Sequence, residues 1–311
     1  MLAWRSLVSV GILLSPNSGR VRRDPGLADR LRAVVGTRGL VRLCATVDEL
    51  DAALQELRGV STVAICGGDG TNHIVITRAV EQYGEGALPV FAFLRGGTMN
   101  TVANAVGVPR QTPEQLVAAI LEERGRYFTR RTLRIGPELG FLFGTGAVHG
   151  FLAEYYRNGQ PTPLDAAETL LRGAASAAIG GRTVRRMCKP FRGYVAFDDG
   201  TRWSERDYLA IAGGAVDQIG LGFRPFYRCQ ERPDGFHLLG IHASPMGFVR
   251  VLPRVFRGLG MGERSTYEAV VEAATLHGED GEVSYMIDGD LRVSRGPLRV
   301  SLGPMVRICA P

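Results

Sequence analysis

Ala64-Ile65-Cys66-Gly67-Gly68-Asp69-Gly70-Thr71 decides how this chain is read. Val63, Ala64 and Ile65 are small or β-branched residues suited to a strand covered on both faces, and Ile74, Val75, Ala79 and Val80 follow Thr71 at helical spacing. The stretch is therefore a strand–turn–helix unit. Gly67, Gly68 and Gly70 let the backbone bring its N–H groups close to an anion, and a helix start adds donors and positive potential. Asp69, among the glycines, would repel a bare phosphate unless a divalent cation lies between them or the acid positions a proton or water. The ligand expected here is a nucleotide with Mg2+. A glycine-rich turn in an unrelated α/β protein is the plain alternative.

Working outward, Leu7 to Leu14 reads as a first strand, Leu27 to Val35 as a helix, Leu40 to Cys44 as a strand and Val47 to Leu57 as a helix. This alternation predicts an open parallel α/β sheet with the glycine turn at the carboxyl end of its third strand, where such sheets bind ligands. Ser15-Pro16-Asn17-Ser18-Gly19-Arg20 turns out of the first strand and offers Ser18, Gly19 and Arg20 for nucleotide contact. Leu88 to Leu94 is another buried strand and empties into Arg95-Gly96-Gly97-Thr98-Met99-Asn100. Two glycine turns on neighbouring strands would face each other across one cleft, which is more specific than either alone.

Composition narrows the function. The chain has 311 residues, 45% of them hydrophobic, a formal charge of +6 and a single lysine, Lys189. P-loop NTPases and protein kinases both place a lysine beside the phosphates, so both classes are excluded. Cys44, Cys66, Cys188, Cys229 and Cys309 are scattered without Cys-x-x-Cys spacing, which argues against zinc and a disulfide framework and for a reducing cytoplasm. His73, His149, His237, His242 and His277 lack metal-ligand spacing. No apolar run approaches the ~20 residues that span a bilayer.

Gly67-Gly68-Asp69-Gly70-Thr71 resembles the phosphate turn shared by diacylglycerol kinases, sphingosine kinases, NAD kinases and, more loosely, phosphofructokinases. The second turn resembles the Gly-Thr-Gly-Asn-Asp-Phe-Ala-Arg segment of the lipid kinases, with Gly97, Thr98, Asn100 and Ala103 retained. Pro16, Ser18 and Gly19 match their Asn-Pro-x-Ser-Gly turn, with Ser15 in place of the asparagine. Met99 stands where that family often has glycine, Thr101 where it often has aspartate, and Ile74 where a glutamate commonly follows the first turn. These departures put the finer proton or metal network around Asp69 in question.

After a helix from Pro113 to Glu123, Arg124, Arg126, Arg130, Arg131 and Arg134 mark a change of domain near residue 130. The expected division is a nucleotide-binding α/β domain over 1–130 and a β-rich lipid-substrate domain over 131–311, a β-sandwich whose last strand could return to the first domain. The strands expected in it are Thr132 to Ile135, Leu139 to Gly144, Gly193 to Phe197, Tyr208 to Gly213, Gly235 to His242 and Leu298 to Leu302. The arginines are either a solvated strand edge or a basic rim for an anionic membrane; nucleic acid is not expected, for want of a reading helix. Leu164 to Ile179 and Met246 to Leu259 are packing faces or apolar surface for an acyl chain.

Tyr285-Met286-Ile287-Asp288-Gly289-Asp290 reads locally as a hairpin. The family's counterpart is Asp-Gly-Glu, tied to removing the proton from the lipid hydroxyl, so the resemblance makes Asp288 and Asp290 joint acid/base candidates. The resemblance implies an ATP-dependent lipid kinase, cytoplasmic and peripheral to the inner face of the membrane. In it the nucleotide is held by Ser18, Gly19, Arg20, Gly67, Gly68, Asp69, Gly70, Thr71, Gly97, Thr98 and Asn100. Asp69 engages Mg2+ through water or couples to the base. A homodimer is left open. The alternatives are an NAD kinase or a catalytically weak nucleotide- or lipid-binding protein, the latter suggested by Ile74 and Thr101.

Overall fold

The computed structural model describes residues 9–158, 163–179 and 181–311. Leu7 and Val8, read as the start of the first strand, lie outside the described residues. The chain forms two compact units, one running to Arg130 and completed by Met305–Pro311, the other Arg131–Pro304.

The first unit comprises β1 (Val10–Leu14), α1 (Gly19–Arg23), α2 (Leu27–Val35), β2 (Gly39–Leu43), α3 (Val47–Glu56), β3 (Thr62–Cys66), α4 (Asp69–Tyr83), β4 (Val90–Phe93), α5 (Thr101–Ala105) and α6 (Pro113–Leu121). Its strands run parallel in the order β2-β1-β3-β4. Every residue of β1 and β3 is buried, as strands covered on both faces require. Helix starts are fixed locally: Thr46 and Thr112 each form a capping box, with Glu49 and Gln115, at the heads of α3 and α6. The expected open parallel α/β sheet is present.

β5 (Arg126–Ile135) leads into the second unit, which contains β6 (Glu138–Gly140), β7 (Leu142–Thr145), α7 (Ala147–Tyr155), α8 (Pro163–Ile179), α9 (Arg182–Met187), β8 (Phe191–Phe197), β9 (Arg202–Tyr208), β10 (Ala210–Gly214), β11 (Phe236–Ile241), α10 (Pro245–Phe256), β12 (Thr266–Val271), β13 (Ala273–Gly278), β14 (Glu282–Ile287) and β15 (Asp290–Arg295). β16 (Leu298–Ala310) closes the chain, and its end pairs with β4 through Ile308 and Cys309. One antiparallel sheet has the order β12-β11-β10-β7-β14-β15, while β9, β8, β13 and the start of β16 pair antiparallel in another layer. Leu133, Phe143, Tyr208, Phe236, Leu276 and Ile287 belong to the buried core between them. This is the β-rich sandwich the sequence predicted, with the helices α7, α9 and α10 added to it.

Two differences from the expected elements have physical causes. The single strand expected over Leu139 to Gly144 is broken at Phe141, whose N–H goes to the Asp288 carboxylate at 2.9 Å instead of to a strand ladder. The strand expected to stop at Leu302 runs on through Gly303 and Pro304 to Ala310, so residues that usually punctuate a strand lie inside it here.

Candidate active site

In the first unit, β3 and β4 are neighbours, and their glycine turns meet backbone to backbone rather than across an open gap. A Cβ added to Gly96 would lie 2.7 Å from the Gly67 nitrogen, and one added to Gly97 would lie 2.4 Å from the Gly68 Cα. Only glycine permits that approach. The segment after β1 is stitched to both turns: the Ser15 N–H donates to the Cys66 carbonyl at 3.2 Å, and the Arg20 N–H to the Gly96 carbonyl at 3.2 Å. Asn100 is left-handed, with φ +49°, and clasps its own turn. Its Oδ1 accepts from the Gly97 N–H at 3.1 Å and its Nδ2 donates to the Gly97 carbonyl at 2.7 Å. Thr98 lies inside that clasp in sequence. The Thr71 side chain covers Gly67, since a Cβ there would meet it at 2.4 Å.

Asp69 is the first residue of α4, and its carboxylate caps the start of α5. Oδ2 accepts the Thr101 N–H at 3.0 Å and Oδ1 the Val102 N–H at 3.4 Å. Burial pushes the Asp69 pKa up, and the hydrogen bonds from Thr101 and Val102 offset only part of that. Thr101 gives Asp69 both its N–H and its hydroxyl. Where the lipid kinases often carry an aspartate, this chain thus places a donor that satisfies Asp69 in place of a second acid.

The start of α4 is shaped for an anion. Its N-cap, Gly68, makes no side-chain hydrogen bond, so the N–H groups of the first turn, which includes Gly70 and Thr71, have no intrahelical acceptor. Ser18, at the N-cap of α1, is buried with its Oγ lacking any partner, and Gly19 opens that helix. Asn72, which the sequence reading passed over in favour of its apolar neighbours, is also buried with Oδ1 unpartnered. Its one available signal was its place three residues past Asp69, on the first turn of the helix. Free N–H groups at a helix head and an unsatisfied buried hydroxyl on the adjoining segment fit the phosphates of a nucleotide. For Mg2+ the fit is indirect. Both Asp69 oxygens already accept backbone N–H groups, and among the described residues no three His, Cys, Asp or Glu side chains gather to hold a metal. Phosphate oxygens and water would supply most of its shell, as is usual for Mg2+.

In the second unit, Asp288 and Gly289 form the two-residue loop of the β14–β15 hairpin, closed by the pairing of Ile287 with Asp290. Both have positive φ, +44° and +97°, the twist that a two-residue hairpin loop favours. The two acids of this motif have different surroundings. Asp288 is 3% exposed. Its carboxylate accepts the Phe141 N–H at 2.9 Å and the Leu142 N–H at 2.8 Å, and its own N–H donates to the Leu142 carbonyl at 3.0 Å. It binds the hairpin to the break between β6 and β7. The Asp290 side chain is 33% exposed and faces Arg292, whose Nη2 lies 3.4 Å from Oδ2. Arg292 is held in turn by Glu138, with Nε and Nη2 donating to Oε1 at 3.0 and 2.8 Å. The Tyr156 hydroxyl donates to the Gly289 carbonyl at 3.1 Å, on the same loop.

Residues 9–129 match the family model of the diacylglycerol kinase catalytic domain. The match spans both glycine turns, and the resemblance read from them is to this family. No curated protein matches it in sequence. Among solved structures it is similar to a diacylglycerol kinase from Bacillus anthracis str. Sterne, with 14% identity, a TM-score of 0.66 and 98% of each chain covered. A second structure from that organism, whose diacylglycerol kinase assignment is provisional, gives 14% identity and a TM-score of 0.72 over 98% of each chain. At that identity the likeness shows the fold. The partial family match and the shared fold agree in what this chain is similar to, the diacylglycerol kinase-like proteins.

Proposed function

We propose that this protein is an ATP-dependent lipid kinase that moves the γ-phosphoryl group of Mg-ATP to the hydroxyl of a lipid such as diacylglycerol, a sphingoid base or ceramide. The observation that carries this reading is the pair of glycine turns packed on each other at the ends of β3 and β4, with the uncapped start of α4 and the unpartnered Ser18 hydroxyl on the segment stitched to both. Phosphoryl transfer asks little covalent chemistry of a protein beyond positioning and charge stabilisation.

In this reading the N–H groups at the head of α4, with Ser18, Gly19 and Arg20, bind the phosphates. Asp69 fixes the second turn by capping α5, so that Gly97, Thr98 and Asn100 present a backbone already in place before the nucleotide arrives. Mg2+, when bound, would neutralise phosphate charge, and Asp69 is the residue that would engage it, through water. Asp290 takes the proton from the lipid hydroxyl as the hydroxyl oxygen bonds to the γ-phosphorus and the bond to the ADP oxygen breaks. Arg292 keeps the Asp290 carboxylate oriented. Asp288, buried with its oxygens on backbone N–H groups, builds the loop that carries Asp290. The lipid is met at the inner face of the membrane; among the described residues no helix is long and apolar enough to cross one.

The test is transfer of labelled γ-phosphate from Mg-ATP to a panel of lipid alcohols in mixed micelles, with NAD in a parallel tube. A labelled lipid, lost in Asp290→Asn while ATP still protects that variant against heating, supports the reading. Labelled NADP would reassign the protein to the NAD kinases. ATP protection with no labelled product from any acceptor would make it a binding protein.

A further inference from the structure

We infer that α10 is a membrane-docking element, lying in the headgroup layer of an anionic bilayer. Ser244 caps the helix, its Oγ accepting the Gly247 N–H at 3.1 Å, and Pro245 occupies the first helical position. At about 100° per residue, Val255 defines the inward face, where it is buried. On the opposite side Arg250, Arg254 and Arg257 fall in one stripe, and Val249, Pro253 and Phe256 fall in an apolar stripe beside it. Phe256 is 55% exposed although its ring packs edge-on against Phe223 at 5.6 Å, and Leu259, just past the helix, is 47% exposed. α8, which packs against α10, adds Leu171 at 70% exposed. Large apolar side chains this open, gathered on one helix pair, mark a surface that is covered in use.

Charge selects the partner. From Pro245 to Gly262 the chain has three arginines and no acid. A stripe of arginine beside a stripe of aromatic and aliphatic residues is the pattern of an interfacial helix: the rings enter the acyl boundary while the guanidinium groups stay at the phosphates. A second copy of this chain would have to bring carboxylates against the arginine stripe, and α10 and the residues that follow it to Gly262 have none to offer in return. The inference deepens the lipid-kinase reading, because an enzyme acting on bilayer lipid works at that surface, but it can be tested without turnover.

The full chain is co-sedimented with vesicles of phosphatidylcholine alone or with phosphatidylglycerol added. Two variants are compared, Arg250→Gln with Arg257→Gln, and Phe256→Ser with Leu259→Ser, each checked by thermal melting. The wild type should pellet with the anionic vesicles only, and the arginine pair should weaken that binding about thirtyfold. High salt should weaken it in the wild type, and the apolar pair should lose it. Unchanged binding in both variants, or no vesicle binding by the wild type, overturns the inference. So does a wild-type dimer that the same variants convert to monomer without any vesicle binding, which would give the face to a second copy. Turnover on detergent-dispersed lipid separates the two claims: if it is absent while vesicle binding is present, the kinase reading fails and the docking surface stands.

Discussion

The glycine turns of the first unit and the acid hairpin of the second are built with the same device, a carboxylate that accepts backbone N–H groups, yet the device stands differently to the chemistry. In the first unit Asp69 caps α5 and lies inside the glycine turn, so in the proposed reading structure and chemistry share one side chain. In the second the proposed reading divides the two tasks between neighbours: Asp288 holds the loop, and Asp290, two residues on, is one-third exposed beside Arg292. A short acidic motif can therefore be one residue in two roles or two residues in one role each, and only the partners of each oxygen tell which.

The division in the hairpin gives the largest expected effects. Asp290→Asn should lower turnover by about a thousandfold, within the usual range for a lost general base, while leaving the unfolding midpoint unchanged. Steady-state kinetics beside a thermal melt reads both. If instead Asp288→Asn keeps its stability and loses turnover while Asp290→Asn does not, the roles are reversed. Asp288→Ala should act on the fold, because it strands the buried N–H groups of Phe141 and Leu142, a loss of about 3 kcal/mol by urea unfolding.

On the glycine side the contrast is between residues of facing turns. Gly97→Ala drives a methyl to 2.4 Å from the Gly68 Cα, whereas Gly68→Ala would meet the Gly97 Cα at 3.5 Å, an ordinary contact. The first should cost about 2 kcal/mol by overpacking, and it should weaken protection by ATP. The second should cost less than about 1 kcal/mol. Equal costs would mean that the turns do not pack on each other in solution.

This difference also shows what a sequence can disclose. The turn after β3 is a short-range object: glycines, a preceding buried strand and a following helix are all within a few residues, and they were legible together. The clasp of Asn100 on Gly97 is equally local, three residues apart. The distinction between Asp288 and Asp290 was hidden because it depends on Phe141, 147 residues away in the chain. β9 was not read as a strand since Arg202–Tyr208 is exposed and polar almost throughout, without apolar alternation to show it. The length of β16 was masked by Gly303 and Pro304. Ser18 was named from its turn, but that its hydroxyl is buried without a partner is a property of packing alone.

The smallest effect tests whether Asp69 is held the way Asp288 is. Burial raises its pKa in the folded protein above its unfolded value near 3.8, with the Thr101 and Val102 hydrogen bonds only partly opposing the shift. Between the unfolded and folded values the native state binds more proton than the unfolded chain, so this residue's contribution to stability falls as pH rises through that window and stays at its lowest above it. Most carboxylates with ion-pair partners act in the opposite sense: Asp51, lowered by its hydrogen bond to Arg78, adds stability above its unfolded pKa and loses it as pH falls. The comparison must therefore be a difference between wild type and Asp69→Asn, measured without nucleotide or metal. Relative to the variant, the wild type should lose stability with a slope approaching about 1.4 kcal/mol per pH unit inside the window and none above it. A difference that is flat across acidic pH would mean that the backbone N–H groups hold the Asp69 carboxylate well enough to cancel its burial, which would make the capping of α5 its main role and leave the departure at Thr101 without consequence for proton or metal chemistry.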